Sequence, residues 1–439
     1  MSPRTKRFLT YILLFIIAGM ITLGAIWWFT RSSTNPDGSP NDGGGLQLFP
    51  FGNPTDPGNT NPSRPGFNPN QPQTGINFNR RLPRLRMISG EPVSGFFATE
   101  TLATSTLVTG TTTEEYFENA VVYTQRVTGH IYQAKESTEQ QQRLSNTTIP
   151  KVYEALYASS TSVLYRYLAD DMETIRTFIG ELKNGTSTLT GTFLANDLDE
   201  VVISPSGTEI VYGIENGDKY FLNLSKTDGS NPISVFSSYA KQWNVQWPKT
   251  DSLYLTPKSD SRYSGSLYKI DPATKQFDKL VSDVLGLSTL VNKDGTKAVL
   301  SYYDKAAGVG TAIFDTATRE YLYPQFRTLA EKCVWSNADA SILYCAVPIE
   351  RIFEAMPEGW YMRKVVTTDT IFRVDTKTME AIEVMTEADT EGNLLDMYNL
   401  ALSDDEKYIY FMNKRDLTLW SYELSVPAAE QGPAAGPTM

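Results

Sequence analysis

The stretch SPSGTEIVY (Ser204–Tyr212) is a Ser-Pro-Ser-Gly turn that runs into a short apolar strand. The arrangement returns as PKTDSLYL 44 residues on, as NKDGTKAVL after another 44, and as SNADASILY after a third 44. Aligned on the turn, the anchors fall at Asn119, Thr161, Gly207, Asp251, Gly295, Asp339 and Glu406, with intervals of 42, 46, 44, 44, 44 and 67. A second element follows each turn, as in GSLYKIDPATK, GTAIFDTATRE and DTIFRVDTKTM; only the second unit departs, with METIRTFIGELKNG. The Asp or Thr that ends this element can bond its own backbone and close another turn.

Each unit therefore reads as strand, hairpin, strand, loop and a third strand, rich in Val, Ile, Tyr, Phe and Thr. Repeats of about 40–45 residues with four short strands are propeller blades. One blade cannot bury both faces of its sheet, whereas a ring of blades can. The prediction is an all-β chain with a single seven-bladed β-propeller over residues 86–424. The last unit supplies only three clear strands, so an outside strand must cover its edge. EPVSGFFAT (Glu91–Thr99) is the expected closing strand.

The pattern WSNADASILY…TDTIFRVDTKT resembles the WD40-like repeat of TolB-type propellers, with Trp335, Ser336, Ile342, Tyr344, Phe372, Asp375 and Thr378 in matching positions. SPSGTEIVY keeps Ser204, Pro205 and Gly207 of that pattern, while no unit keeps it whole and the first two match poorly. With CVWSNADASILYCAVP and the following Trp360-Tyr361, the architecture also resembles single-pass, propeller-bearing envelope proteins of candidate-phylum bacteria. This resemblance implies a fold and no particular activity.

Outside the body, Phe8–Thr30 is an uncharged 23-residue apolar run. As a helix it spans a hydrocarbon core of roughly 30 Å. Arg4, Lys6 and Arg7 precede it, and Trp27 and Trp28 sit where an interfacial anchor belongs. The positive-inside rule then leaves residues 1–7 cytoplasmic and places the propeller outside the cytoplasm, in the cell envelope. A cleaved signal peptide would have a shorter apolar run and a small-x-small site. Residues 31–85 are dominated at first by Pro, Gly and Asn and are expected to form a disordered linker, and 425–439 a disordered tail.

The net charge of −11 argues against nucleic acid as a partner. The lone histidine, His130, starts a repeating strand, and the body lacks a G-x-S-x-G elbow. NKDGTK (Asn292–Lys297) has the phase of a hairpin turn, not a phosphate loop. NDLDE (Asn196–Glu200) and SDDEK (Ser403–Lys407) read as solvated blade turns. No residue is singled out as catalytic, cofactor-binding or metal-ligating, and no cofactor is expected. Carboxylate pairs drawn from separate blades would leave no local motif.

The 67-residue interval holds an insertion, 348–368, reading PIERIFEAMPEGWYMRKVVTT. Ile349, Ile352, Phe353 and Met356 fall at i, i+3, i+4 and i+7, which predicts a helix begun at Pro348 and ended at Pro357. Insertions in repeat proteins often mark the binding face. Trp360, Tyr361 and Met362 are thus either a candidate binding surface or buried parts of a cap. Cys333 and Cys345 bracket the CVWSNADASILYC hairpin. If the turn centres on Asp339 they face each other on one side of the sheet, which predicts a disulfide. The expected role is a membrane-tethered module binding an envelope protein or cell-wall glycan. The alternative is a polysaccharide-active hydrolase or lyase with carboxylates at the propeller mouth.

Overall fold

The computed structural model describes residues 82–106, 113–183 and 185–424. The expected membrane helix 8–30, linker residues 31–81 and the tail lie outside the described residues. Among the described residues no helix is long and apolar enough to cross a membrane.

Seven four-stranded antiparallel sheets follow one another along the chain. Each of the first six is built from four consecutive strands, and the first strands of neighbouring blades touch, so they form the inner ring. This is a seven-bladed β-propeller. Its core lies between blades as seven apolar clusters, one at each seam. Trp243, Val245 and Trp247 of blade four, for instance, pack on Tyr220 and Leu222 of blade three.

The repeated turn works as its chemistry requires. Ser204, Asn292 and Ser403 accept the backbone N–H five residues on, from Glu209, Lys297 and Tyr408. Gly207 and Gly295 carry positive φ at the tightest point, and Glu406 takes the same conformation in blade seven. At the end of the third strands, Asp271 and Asp315 each accept two backbone N–H groups.

Ring closure uses a different strand from the expected one. Leu85–Ser89 completes blade seven, pairing Leu85 with Tyr422 and Met87 with Trp420. Glu91–Thr99 instead lies largely in the inner strand of blade one, Val93–Thr106. That strand pairs with Thr113–Gln125 from Val93↔Gln125 out to Thr106↔Thr113. Asn119 is therefore paired with Glu100 and is not at a turn. The third strand of this blade reaches only Ala120–Thr124, so the outer part of the hairpin projects as a two-stranded ribbon bearing exposed Leu102, Tyr116 and Phe117.

Inner strands all run in one sense. Blade-to-blade connections and the loops between second and third strands therefore share one face, the entry face. The insertion leaves blade six there.

Candidate functional site: the insertion-bearing mouth

The insertion is not the expected helix. Pro348 ends the second strand of blade six (Ile342–Pro348), and 349–357 run without helix to a single turn, Glu358–Tyr361. The four residues at helical spacing do not share an environment: Met356 is buried, while Ile349 and Phe353 are exposed. The chain instead lies flat on the neighbouring blade. A Cβ at Gly308, where φ is +76°, would come within 2.1 Å of the Ile352 carbonyl, so only glycine admits this approach.

Polar side chains from three other blades hold the helical turn. Glu358 accepts from the Ser261 N–H of blade four at 2.9 Å and from the Ser261 hydroxyl. The Tyr361 hydroxyl donates to Glu331, whose other oxygen takes the Ser288 hydroxyl of blade five at 2.6 Å. Burial pushes the Tyr361 hydroxyl well above its usual range, and the Glu331 charge adds to this. Trp360, 3% exposed, donates its indole N–H to Asp396 of blade seven at 2.8 Å.

Beneath Trp360 lies a fully buried ion triad. Lys332 Nζ is 2.6 Å from Asp369 and 2.7 Å from Asp396, and donates to Thr367 as well. The carboxylates are not equivalent. Asp396 also accepts from Trp360 and from the Thr367 hydroxyl and N–H, and its carboxyl is held low against the opposing effect of burial. Asp369 has an unpartnered buried Oδ1, and burial wins over Lys332 to raise it. The Lys414 ammonium lies 4.0 Å from the Trp360 ring centroid and 5.3 Å from that of Tyr398. Burial lowers its pKa, opposed by Asp396.

Of the candidate surface residues, Trp360 is thus buried, Tyr361 half-buried and Met362 exposed, with Arg363 and Lys364 exposed beside it. The disulfide between Cys333 and Cys345 is present, in the expected register, with Trp335 facing Leu343. It ties the strand that follows Lys332 to the strand that leads into the insertion.

Across the mouth, blades two and three bring acids together. Arg166 pairs with Glu154 at 2.6 Å and donates to the Leu198 carbonyl at 2.6 Å. Its guanidinium lies 5.4 Å from the Tyr153 ring centroid. Glu200 accepts from the Val245 N–H at 3.4 Å. Burial, then the Glu154 and Asp199 charges, push its carboxyl up to about 7 against Val245 and Arg166. The NDLDE stretch is therefore not simply a solvated turn, since its last residue is partly withdrawn from water. His130 only meets Thr148, at 3.0 Å, and burial lowers its pKa.

No protein-family model matches the sequence, and no curated protein matches it. Solved structures do. An oligogalacturonate lyase in complex with manganese is 11% identical, with a TM-score of 0.49 over 77% of this chain and 99% of that one. TolB from Acinetobacter baumannii is 11% identical, with a TM-score of 0.40 over 75% and 79%. A puromycin-hydrolysing peptidase from Mycobacterium tuberculosis is 13% identical, with a TM-score of 0.44 over 75% of this chain. The chain spans about half the length of that peptidase, 52%. At these identities the likeness is one of fold.

Proposed function

We propose that the protein is a binding module of the cell envelope, tethered by residues 8–30, whose insertion-bearing mouth engages an envelope protein or a cell-wall glycan. One observation carries this reading: the insertion is fastened to blade four, to the turn connecting blades five and six, and to blade seven while Met362, Arg363 and Lys364 stay exposed. Such fastening holds a recognition element in one conformation before its partner arrives, which lowers the entropy lost on binding. The disulfide supports an oxidising compartment. A photocrosslinker at Met362 in the native envelope should capture a discrete partner, and one at Phe117 on the opposite face should not. Equal capture from both positions would refute the assignment of the face. Protease added to cells with a permeabilised outer layer should release the propeller by cutting within 31–85. A protein untouched under those conditions would overturn the tethered topology.

A second reading, an enzyme acting on envelope polysaccharide, draws on Glu200. A carboxyl pushed up to about 7 beside the Glu154–Arg166 pair suits a proton donor. Under this reading Glu200→Gln abolishes turnover of envelope glycan, and under the binding reading it leaves capture at Met362 intact.

A further inference from the structure

Beside the insertion, at the seam of blades five and six, a cleft of about 250 Å³ opens on the entry face. Its walls are mainly apolar, formed by Val309, Phe326, Leu329, Val347 and Met356, all buried, with the buried Thr328 and Lys332 also among the lining residues. An engineered apolar cavity of about 150 Å³ already accepts benzene, so this space holds a group at least as large as an aromatic or branched aliphatic side chain. One wall is insertion backbone, and the approach over Gly308 fixes its height.

The rim is cationic in an unusual way. Arg327 and Arg351 both line the cleft and converge on one acceptor, the Ala307 carbonyl, at 2.9 and 3.3 Å. Arg327 also donates to the Val309 carbonyl, and Arg351 lies over the Phe353 ring. Neither guanidinium makes an ion pair with a carboxylate among the described residues. Nearby acids include Glu350, on the rim, Glu354, which accepts from the Phe353 N–H, and Asp304, whose carboxylate is turned to the backbone N–H groups of Ala306 and Ala307. Two like charges drawn to one carbonyl repel each other, and an anion placed between them relieves the repulsion. Paired guanidinium groups suit the planar, two-oxygen geometry of a carboxylate.

We propose that this cleft binds a ligand with an apolar body and a terminal carboxylate, the body in the cleft and the carboxylate between Arg327 and Arg351. The proposal deepens the binding-module reading by naming the ligand class that the insertion helps to select. Two sources offer this chemistry: the carboxy-terminal residue of a peptide and a free aryl or alkyl carboxylate.

The test is calorimetric titration of the full-length protein with three probes: N-acetyl-Gly-Phe with a free carboxylate, the same peptide as its amide, and 3-phenylpropionate. The free peptide acid should bind, and its amide at least about tenfold more weakly, the usual scale of a lost charge-assisted bond. Binding of both acids with equal strength would assign the site to free carboxylates, and preference for the peptide acid would assign it to a chain end. Arg327→Ala and Arg351→Ala should each weaken the acid by about tenfold or more. Glu350→Gln should tighten it, because a competing negative charge is removed. Val309→Trp, which fills the cleft and leaves the rim in place, should abolish binding, with folding verified by circular dichroism. Equal affinity for acid and amide, or no binding of either acid at millimolar concentration, would overturn the proposal. The crosslink at Met362 would survive that failure, so the two readings fall separately.

Discussion

Replacing Lys332 with methionine tests what holds the insertion to the ring. Lys332 is fully buried, and its two carboxylate contacts place Asp369 and Asp396 oxygens at most about 5.3 Å apart, well within Coulombic reach. Methionine keeps the volume of the side chain and removes its charge. Two buried carboxylates then face each other without the cation that bridged them, while the Lys414 ammonium, beside Trp360, still acts on the Asp396 carboxylate without pairing with it. Breaking a buried pair by removing one partner costs about 3–5 kcal/mol, and that is the expected loss at pH 8. The sign of the pH dependence follows from the same charges. Asp369 already sits above its usual value through burial, and without Lys332 Asp396 should rise too. The folded variant then binds more protons than the unfolded chain, so its stability falls as pH rises above the ordinary carboxylate range. Guanidinium denaturation of the full-length protein should show a deficit that is largest at pH 8 and shrinks as pH falls towards the carboxylate range. Adding Asp369→Asn and Asp396→Asn should restore much of the loss, since an amide oxygen at position 396 can still accept from Trp360. A loss below about 1 kcal/mol at pH 8, or one indifferent to pH, would refute an uncompensated buried charge as the cause.

Serine at both Cys333 and Cys345 should cost about 3 kcal/mol, the loop-entropy value for a link across 12 residues of sequence; two freely alkylated thiols in non-reducing mass spectrometry of the exported protein would show that the link does not form. Glu200 has its folded pKa raised to about 7, so it subtracts stability as pH climbs from about 4.5 to 7. Glu200→Gln should flatten that slope and gain about 1–2 kcal/mol at pH 8, a figure reduced for its partial exposure to solvent, and an unchanged pH profile would contradict the shift. Deleting 82–89 should lower the melting temperature of the whole ring in one transition, because blade seven loses its outer strand; an unaltered melt would show that closure does not depend on Leu85–Ser89.

The ring was legible because its information is local. A Ser or Asn that caps a turn, a residue able to take positive φ, and an Asp that folds the next loop recur in fixed order, and none depends on distant partners. The disulfide was legible for the same reason, since hairpin register follows from the turn. Blade one misled because its hairpin is longer than its neighbours. The strand pairing continues past Asn119, which faces Glu100, out to Thr106↔Thr113, so the polar Asn119 marks no turn. The insertion misled through a coincidence of spacing. Ile349 and Phe353 lie at helical intervals from Met356, yet both stay exposed while Met356 is buried, and an apolar stripe that is not buried as one face does not stabilise a helix. Lys332, Asp369 and Asp396 left no trace in sequence, because an ion triad assembled from two blades and a connecting turn has no spacing to detect. The same holds for the meeting of Arg327 and Arg351.

For a module tethered through residues 8–30, as proposed, the topology separates attachment from recognition. The outer strand of blade seven is antiparallel to its neighbour, so Leu85 lies at the face opposite the insertion and Ser89 at the entry face. The third strand of the same blade ends at Glu423, beside Leu85, so both ends of the ring emerge on the face away from the mouth. Tension transmitted from residues before 82 would act on the start of the closing strand, where peeling would open the ring. Arg84 stands at that point. Its guanidinium donates to the Glu423 carbonyl at 3.3 and 3.2 Å, pairs with Asp389 at 3.4 Å and lies 4.7 Å from the Tyr422 ring centroid. One side chain thereby fastens the closing strand to its neighbour and to the connection between blades six and seven. Each contact is weak alone at a partly exposed site, but all must fail together before Leu85 can leave Tyr422. A load on the chain before Leu85 would therefore meet this clamp first.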